Sequence, residues 1–173
     1  MEVLSLLRLV VGSLFLGYAS YSDMRTRRVG NGLWIILGSV AFIILFVDLL
    51  MREGTVWVHY LIFIPAGILF FEVYVERKPI IDEEGIHFVP LAFLSYCIVV
   101  IVLATQAFLL YPNPSHMNLF YHLLTIPAMI VISHLLYQSR LLKGGADAKA
   151  VMCLAVLVPF YPDFYGFPLR KDY

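Results

Sequence analysis

The sequence is poor in charge and in cysteine, and these shortages already exclude several protein classes. Only 14% of its 173 residues are charged and 61% are hydrophobic, whereas soluble domains average about 25% charged residues. The formal net charge is zero, so no basic surface indicates binding to nucleic acid. Cys97 and Cys153 lie within apolar runs and form no CxxC pair. A disulfide framework or zinc ribbon is therefore not indicated, and we expect two packed thiols.

The apolar residues form several long runs, which is typical of a polytopic membrane protein and not of a signal peptide followed by a soluble domain. A spanning helix needs about 20 mostly apolar residues. We predict an all-α integral membrane helix bundle, a single domain over residues 1–173 with about six transmembrane helices. The predicted spans are Val3–Ala19, Leu33–Met51, Val56–Tyr74, Phe88–Leu110, Leu119–Tyr137 and the shorter Ala148–Tyr161. Arg8 lies near the start of the first span, where we expect it to snorkel to the headgroups.

Lysine and arginine are distributed unevenly between the two ends of these spans. If the helices alternate in direction, one side carries Arg25, Arg27, Arg28, Arg77, Lys78, Arg140, Lys143 and Lys149. The opposite side carries Arg52, Arg170 and Lys171. Because basic residues concentrate on the cytoplasmic face of a membrane, we predict a multi-pass cell-membrane protein with its N-terminus outside. Four predicted helices lie between Asp23 and Asp147, so both aspartates are predicted to face the cytoplasm.

These two aspartates stand at the edges of apolar runs, Asp23 ending the first span and Asp147 beginning the sixth. A carboxylate at a membrane boundary is costly to dehydrate and is a candidate for function. Two carboxylates that share one proton form an aspartyl protease dyad, in which one acts as general base on water and the other as general acid. This chemistry needs no metal or other cofactor, and the absence of an HExxH motif disfavours a zinc protease. Each aspartate alone is equally explained as a solvated boundary residue or a helix cap.

The residues around Asp147 also have predicted roles. Gly144 and Gly145 relax the limits on the backbone and allow another chain to approach closely, so we expect them to shape the site. Lys149 lies two positions after Asp147, which on a helix directs it away from that carboxylate. We interpret Lys149 as a cation that binds a headgroup or orients the substrate.

Further charged residues occur in the connections and at the helix ends. Asp82, Glu83 and Glu84 lie between the third and fourth spans, on the side predicted to carry the aspartates. They are interpreted either as a solvated loop or as an acidic cluster that attracts a basic substrate. Asp48 and Arg52 are spaced i,i+4 and are predicted to pair.

Five further residues, two prolines, one histidine and two glutamates, carry weaker predictions. Pro65 and Pro127 fall within predicted spans and should kink them, which would open a lateral gap for substrate. His134 is predicted to be a hydrogen-bonded residue inside the bundle. Glu72 and Glu76 are expected to reach headgroups, with a substrate groove as the less favoured alternative.

Two segments carry a resemblance to a known family. Tyr21–Asn31, in which Asp23 leads a basic stretch, resembles the first catalytic segment of the type IV prepilin peptidases, where that stretch ends in Ile-Pro-Asn. Gly144–Lys149 is similar to the family's GxGD segment, and archaeal members, including preflagellin peptidases, often show its Gly-Gly-Ala-Asp-Ala-Lys form. The resemblance implies a membrane aspartyl endopeptidase that removes the short basic leader of type IV pilus or archaellum precursors. It implies Asp23 and Asp147 as the catalytic pair, with Gly144 and Gly145 shaping the second segment.

The chain departs from the family pattern in several places. Gly30 stands where the family has proline before Asn31, and Ala146 replaces the second glycine of GxGD. Short archaeal relatives have two helices between the aspartates instead of four, and relatives usually continue after the second segment. A C-terminally truncated fragment, a divergent member and a member without full activity are all compatible with these departures.

Two other functions are open. One is a GxGD intramembrane protease that acts on other single-span substrates. The other is a non-enzymatic membrane transporter or scaffold, in which the aspartates bind ions or pair with arginines. Transporters favour ionisable residues near the membrane midplane and internal repeats, whereas Asp23 and Asp147 lie at helix ends. The enzyme is therefore the favoured interpretation.

Overall fold

A computed structural model describes residues 2–74, 81–82, 85–86, 90–139, 141–142 and 144–160. Side chains are described for residues 3–74, 93–139, 141–142 and 144–160. In chain order the elements are α1 (Glu2–Thr26), α2 (Asn31–Met51), a 3₁₀ helix (Trp57–Ile62), α3 (Phe63–Glu72), β1 (Ile81–Asp82), β2 (Gly85–Ile86), α4 (Pro90–Leu110), α5 (Pro114–Gln138) and α6 (Gly145–Leu157). The two short strands form an antiparallel pair in which Ile81 faces Ile86 and Asp82 faces Gly85.

Within the described ranges, four helices are long and apolar enough to cross a membrane. They are Val3–Thr26, Asn31–Met51, Phe93–Leu110 and Pro114–Gln138. The predicted helical bundle is confirmed at this level, whereas six full-length spans are not. The third predicted span divides into the 3₁₀ helix and α3. The sixth is the 13-residue α6, which is about 20 Å long at 1.5 Å per residue, less than the hydrocarbon thickness of about 30 Å.

The first helix extends further than predicted, and Asp23 lies inside it. Helix α1 continues to Thr26 because backbone hydrogen bonds do not stop where the hydropathy falls. The fifth helix likewise begins earlier than predicted, at Pro114. The side chain of Asn113 accepts the Ser115 N–H at 3.1 Å, and proline is favoured in the first turn because its missing N–H would have no helical partner there.

The short helix α6 lies inside the bundle, packed against α2 and α5. Its residues Ala148, Met152 and Val156 are buried, as are Cys153 and Leu157. A spacing of four places the first three on one face of the helix, and the other two line the adjacent face. Because α6 is enclosed by protein in this way, most of its length contacts other helices.

Arg8 does not snorkel to the headgroups, as the sequence predicted, but is buried in the bundle. Its exposed fraction is 5%, and its Nη2 donates to Asp48 Oδ2 at 2.9 Å. Arg52 Nη2 lies 3.8 Å from the same oxygen, so the predicted pairing of Asp48 with Arg52 is confirmed. The prediction for Arg8 was wrong because it considered α1 alone, whereas α2 supplies a carboxylate that stabilises the buried charge.

The structure also bears on the predictions for two prolines, for His134 and for the two cysteines. Pro65 is the third residue of α3 and lies inside the continuous helical segment Trp57–Glu72, so its predicted position within a span is confirmed. Pro127 does lie inside α5. The Gln138 amide nitrogen is 2.7 Å from His134 Nε2, which confirms a hydrogen-bonded histidine. Both cysteines are free, one buried and the other half-buried.

Candidate active site

Two side-chain hydroxyls form hydrogen bonds with backbone carbonyls at the C-terminal end of α1, and Asp23 is exposed in the last turns of that helix. Thr26 Oγ1 lies 2.9 Å from the carbonyl oxygens of both Ser22 and Arg28. The Ser22 hydroxyl donates to the same Arg28 carbonyl at 3.2 Å. Arg27 has a left-handed φ of 52°, a conformation that does not continue a right-handed helix. The carboxylate of Asp23 therefore projects from a defined helix end and is exposed.

The connection after Asp23 leads directly into α2, whose first residue is Asn31. Gly30 precedes it with φ −67° and ψ 143°, and a proline ring holds φ near −65°. A Cβ at Gly30 would meet nothing within 4 Å. Gly30 therefore keeps the backbone geometry that a proline would have at this position.

We expect Gly30→Pro to stabilise the folded protein by about 0.4–1 kcal/mol, because it restricts the unfolded chain more than the folded one. Among the turn and cap hydrogen bonds of the described residues, none has the Gly30 N–H as donor. Thermal unfolding in detergent should show a higher Tm. Gly17→Pro, in the interior of α1, is the contrast and should lower the Tm. A lower Tm for Gly30→Pro would contradict the backbone argument.

Gly144 and Gly145 have different roles at the start of α6. Gly144 is the N-cap and Gly145 the first helical residue. The carboxylate of Asp147 folds back over Gly144, so that a Cβ there would lie 2.5 Å from Asp147 Oδ2. A Cβ at Gly145 would lie 3.4 Å from the Tyr137 ring, an ordinary contact. The observed position of the Asp147 carboxylate therefore requires glycine at position 144, whereas position 145 has room for a Cβ.

Asp147 is also well placed by the backbone of α6. The Asp147 N–H donates to the Gly144 carbonyl at 3.1 Å, and Asp147 lies in the first turn of α6. Negative charge is stabilised there by the partial positive charge of the helix N-terminus. The side chain is exposed and is therefore accessible to a polypeptide outside the bundle.

One hydrogen bond joins the two aspartate-bearing segments. Lys149 Nζ donates to Asn31 Oδ1 at 2.7 Å. The same ammonium lies 5.3 Å from the centroid of the Tyr74 ring, within the range of a cation–π interaction. Lys149, predicted to bind a headgroup or substrate, thus has two partners in the protein. It connects the start of α6 to the start of α2 and to the chain just after α3.

Two contacts show that α2 and α6 run in the same direction. Lys149 meets Asn31, and one turn further along both helices the Cys153 thiol donates to the Trp34 carbonyl at 3.4 Å. The N-terminal ends of α2 and α6 therefore lie together. Since only residues 27–30 separate α1 from α2, the C-terminal end of α1 lies there too. We call this end of the bundle, which carries Asp23 and Asp147, the aspartate end.

Sequence reasoning missed the positioning contacts at this end. Asn31 appears in the sequence only as the last residue of a motif, and Tyr74 only as the last residue of a predicted span. The Tyr74 hydroxyl also lies beside the Cys153 thiol, so Tyr74 contacts α6 at both Lys149 and Cys153. Neither contact has a local sequence signal, because each joins residues that are far apart in the chain.

The structure is less informative about the acidic residues near this site. Asp82 pairs with Gly85 through its backbone, while its side chain, Glu83 and Glu84 lie outside the described residues. Glu72 does not reach outward as predicted but is 9% exposed, because α3 packs against α4 and α5. Also outside the described residues lie Glu76 and several of the basic residues used to predict the topology, namely Arg77, Lys78, Arg140, Lys143, Arg170 and Lys171.

Comparison with known proteins adds no assignment. No protein-family model, curated protein or solved structure gives a significant match to this chain. The comparisons therefore indicate neither a family nor an activity.

Proposed function

We propose that this chain is a membrane aspartyl endopeptidase that removes the short basic leader of type IV prepilin-like or preflagellin precursors at the cytoplasmic membrane face. The observation that carries the proposal is the hydrogen bond between Lys149 and Asn31. It joins the two segments that resemble the catalytic segments of that family. Asp23 and Asp147 are both exposed, as the reacting groups of an enzyme with an external polypeptide substrate must be.

In the proposed reaction one carboxylate takes a proton from water while the water oxygen attacks the carbonyl carbon of the scissile peptide bond. The other carboxyl group starts protonated and donates its proton as the carbon–nitrogen bond breaks, so that the nitrogen leaves as an amine. One water is consumed and a carboxyl group and an amine are formed. A substrate strand seated between the end of α1 and the start of α6 would complete this pair, as closure on substrate does in many enzymes.

The proposed topology has six membrane-embedded helices, with α3 and α6 as short spans and the N-terminus outside. Helices that alternate in direction make the second and sixth parallel, and the contacts between α2 and α6 agree with this. Arg25, Arg27 and Arg28 follow Asp23 and are exposed, in keeping with the basic character of cytoplasmic ends. The aspartate end is therefore proposed to face the cytoplasm.

The connection between α3 and α4 is proposed to help recruit the substrate. Tyr74 lies beside Lys149, so this connection leaves α3 at the aspartate end of the bundle. It carries Asp82, Glu83 and Glu84, and a cluster of like charge attracts a ligand of opposite sign. The basic leader of a prepilin-like precursor has that opposite sign.

The proposal is tested by reconstituting the purified protein in liposomes with a tagged precursor that has a short basic leader. We expect a shortened product whose new N-terminus maps to the leader junction. A precursor with its leader lysines and arginines changed to glutamine should be cut more slowly. Cleavage of single-span substrates regardless of a leader would favour the broader intramembrane protease, and no cleavage of any of these substrates would refute the enzyme.

Lys149→Met is expected to slow leader removal about tenfold, because two contacts are lost: the hydrogen bond that joins α6 to Asn31 of α2 and the cation–π contact that joins α6 to Tyr74 after α3. The single variant Asn31→Leu removes one of these contacts and should have a smaller effect. In the double variant the two losses should not add, since they break the same contact. Cleavage rates in liposomes at saturating precursor measure the effect, and simple additivity would argue that the hydrogen bond does not position the site.

A further inference from the structure

A buried charge cluster lies at the end of the bundle opposite to Asp23 and Asp147. It consists of Arg8 of α1, Asp48 near the end of α2, and Arg52 just after α2. Arg8 Nη2 and Arg52 Nη2 lie 2.9 and 3.8 Å from the same Asp48 oxygen. Phe160 covers the cluster, with its ring centroid 4.0 Å from the Arg52 guanidinium carbon and 5.7 Å from that of Arg8. We call these four residues the arginine cluster.

Among the described residues, the positive charges of the arginine cluster outnumber its negative charge by one. Two guanidinium groups share one carboxylate, and within the described part of the chain no other carboxylate lies within ion-pair distance of either arginine. The side chains of Arg8 and Asp48 are only 6% and 3% exposed. Because an uncompensated charge is costly where water is excluded, a cluster with one excess positive charge favours a bound anion.

The arginine cluster also contains hydrogen-bond donors without an acceptor, which is a second reason to expect a bound anion. The Nε atoms of Arg8 and Arg52 are buried, and neither has a hydrogen-bond partner among the described residues. Guanidinium groups carry several donors in a planar fork that matches the oxygens of a phosphate. The Arg52 guanidinium carbon lies over the Phe160 ring, within the range of a cation–π interaction.

The arginine cluster reaches the protein surface at Arg52. The side chain of Arg52 is 26% exposed. Leu50, Met51 and Trp57, which flank it in the chain, are 60%, 65% and 69% exposed. Tryptophan is enriched at the level of the lipid headgroups, and exposed leucine and methionine suit the adjoining acyl chains. The surroundings of Arg52 therefore combine a headgroup environment with an apolar surface.

We propose that the arginine cluster binds the phosphate of an anionic phospholipid, with Arg52 as the surface contact and Arg8 as the buried support. A lipid with one net negative charge neutralises the excess positive charge of the cluster. A zwitterionic lipid offers the same phosphate but brings no net charge. The proposal is independent of the proposed protease function, because the cluster lies at the other end of the bundle and its test measures lipid binding instead of cleavage.

The test measures thermal unfolding and lipid retention by native mass spectrometry for the full chain in detergent. The added probes are phosphatidylglycerol, phosphatidylcholine and inorganic phosphate. Phosphatidylglycerol should raise the Tm and stay bound, whereas phosphatidylcholine should do so at least about tenfold more weakly. An equal response to the two lipids would overturn the proposal, and an equal response to inorganic phosphate would overturn the lipid as the occupant.

Two variants and a control make the test specific. Arg52→Gln should weaken phosphatidylglycerol binding at least about tenfold, the equivalent of one charge-assisted hydrogen bond. Asp48→Asn leaves both arginines without their carboxylate, so its Tm in detergent should fall and phosphatidylglycerol should restore more of it than in the wild type. Arg25→Gln, an exposed arginine at the opposite end, should retain the wild-type response. Wild-type lipid binding by Arg52→Gln would refute the site.

Discussion

Replacing either Asp23 or Asp147 with asparagine is expected to lower the rate of leader removal by at least about 10³-fold, the scale on which losing a catalytic group acts. Asparagine keeps the size and the hydrogen-bonding shape of aspartate but can neither take a proton from water nor donate one to the leaving nitrogen. Because the proposed reaction uses both roles in each turnover, loss of either carboxylate should be enough. Single-turnover cleavage of a tagged precursor in liposomes measures the effect.

The controls for this prediction follow from the arrangement of the site. Glu53→Gln removes an exposed carboxylate beside Arg52, at the opposite end of the bundle, and should cleave at the wild-type rate. The double variant Asp23→Asn/Asp147→Asn should be hardly slower than either single variant, because residues that act as a unit are not additive. Wild-type cleavage by either single variant would show that the two aspartates are not a catalytic pair.

Gly144→Ala is expected to lower the rate of leader removal by about 100-fold while leaving the fold intact. A Cβ at this position would lie 2.5 Å from Asp147 Oδ2, so the carboxylate must turn away. The end of an aspartate side chain can rotate at little cost to stability, but a displacement of about 1 Å at a reacting group can cost about 10²-fold in rate. The measurements are the cleavage rate and the Tm of the same preparation.

Gly145→Ala is the matched control because it adds the same methyl group one residue later. The new Cβ would meet Tyr137 at 3.4 Å, which is an ordinary contact, so the effect on the rate should be a few-fold at most. A large loss in Gly145→Ala with little loss in Gly144→Ala would reverse the assignment. If Gly144→Ala lowers the Tm strongly as well as the cleavage rate, the loss of activity would indicate damage to the fold instead of displacement of Asp147.

The sequence predicted the regular features of this protein well because they depend on local properties. The high apolar content and the long runs predicted a helical bundle of the membrane type, and the four long helices agree with it. The Asp48–Arg52 pair was also predictable, since residues spaced i,i+4 meet on any helix. Helix ends were less predictable: hydropathy marks the membrane boundary, whereas α1 continues through Asp23 to Thr26.

The contacts between distant parts of the chain were decided by the tertiary structure alone. Arg8 was expected at the headgroups, but α2 places Asp48 within hydrogen-bond distance of it inside the bundle. Lys149 was predicted to bind a headgroup or to orient the substrate, and its contacts with Asn31 and Tyr74, which parallel packing of α6 on α2 creates, were not predicted. Both depend on which helices are neighbours and in which direction they run, and neither property is encoded in the residues next to Arg8 or Lys149.

By itself, the sequence determined that the chain forms a helical bundle of the membrane type and that two aspartates stand at the ends of its apolar segments. Hydrophobic length and charge position are properties of short stretches, so they can be seen without a fold. The tertiary structure decided that the ends carrying Asp23 and Asp147 lie together, and that the carboxylate of Asp147 lies over Gly144. It also decided that Arg8 and Arg52 share one carboxylate. These arrangements depend on the packing of helices against one another, because only packing brings polar groups from distant segments within hydrogen-bond distance.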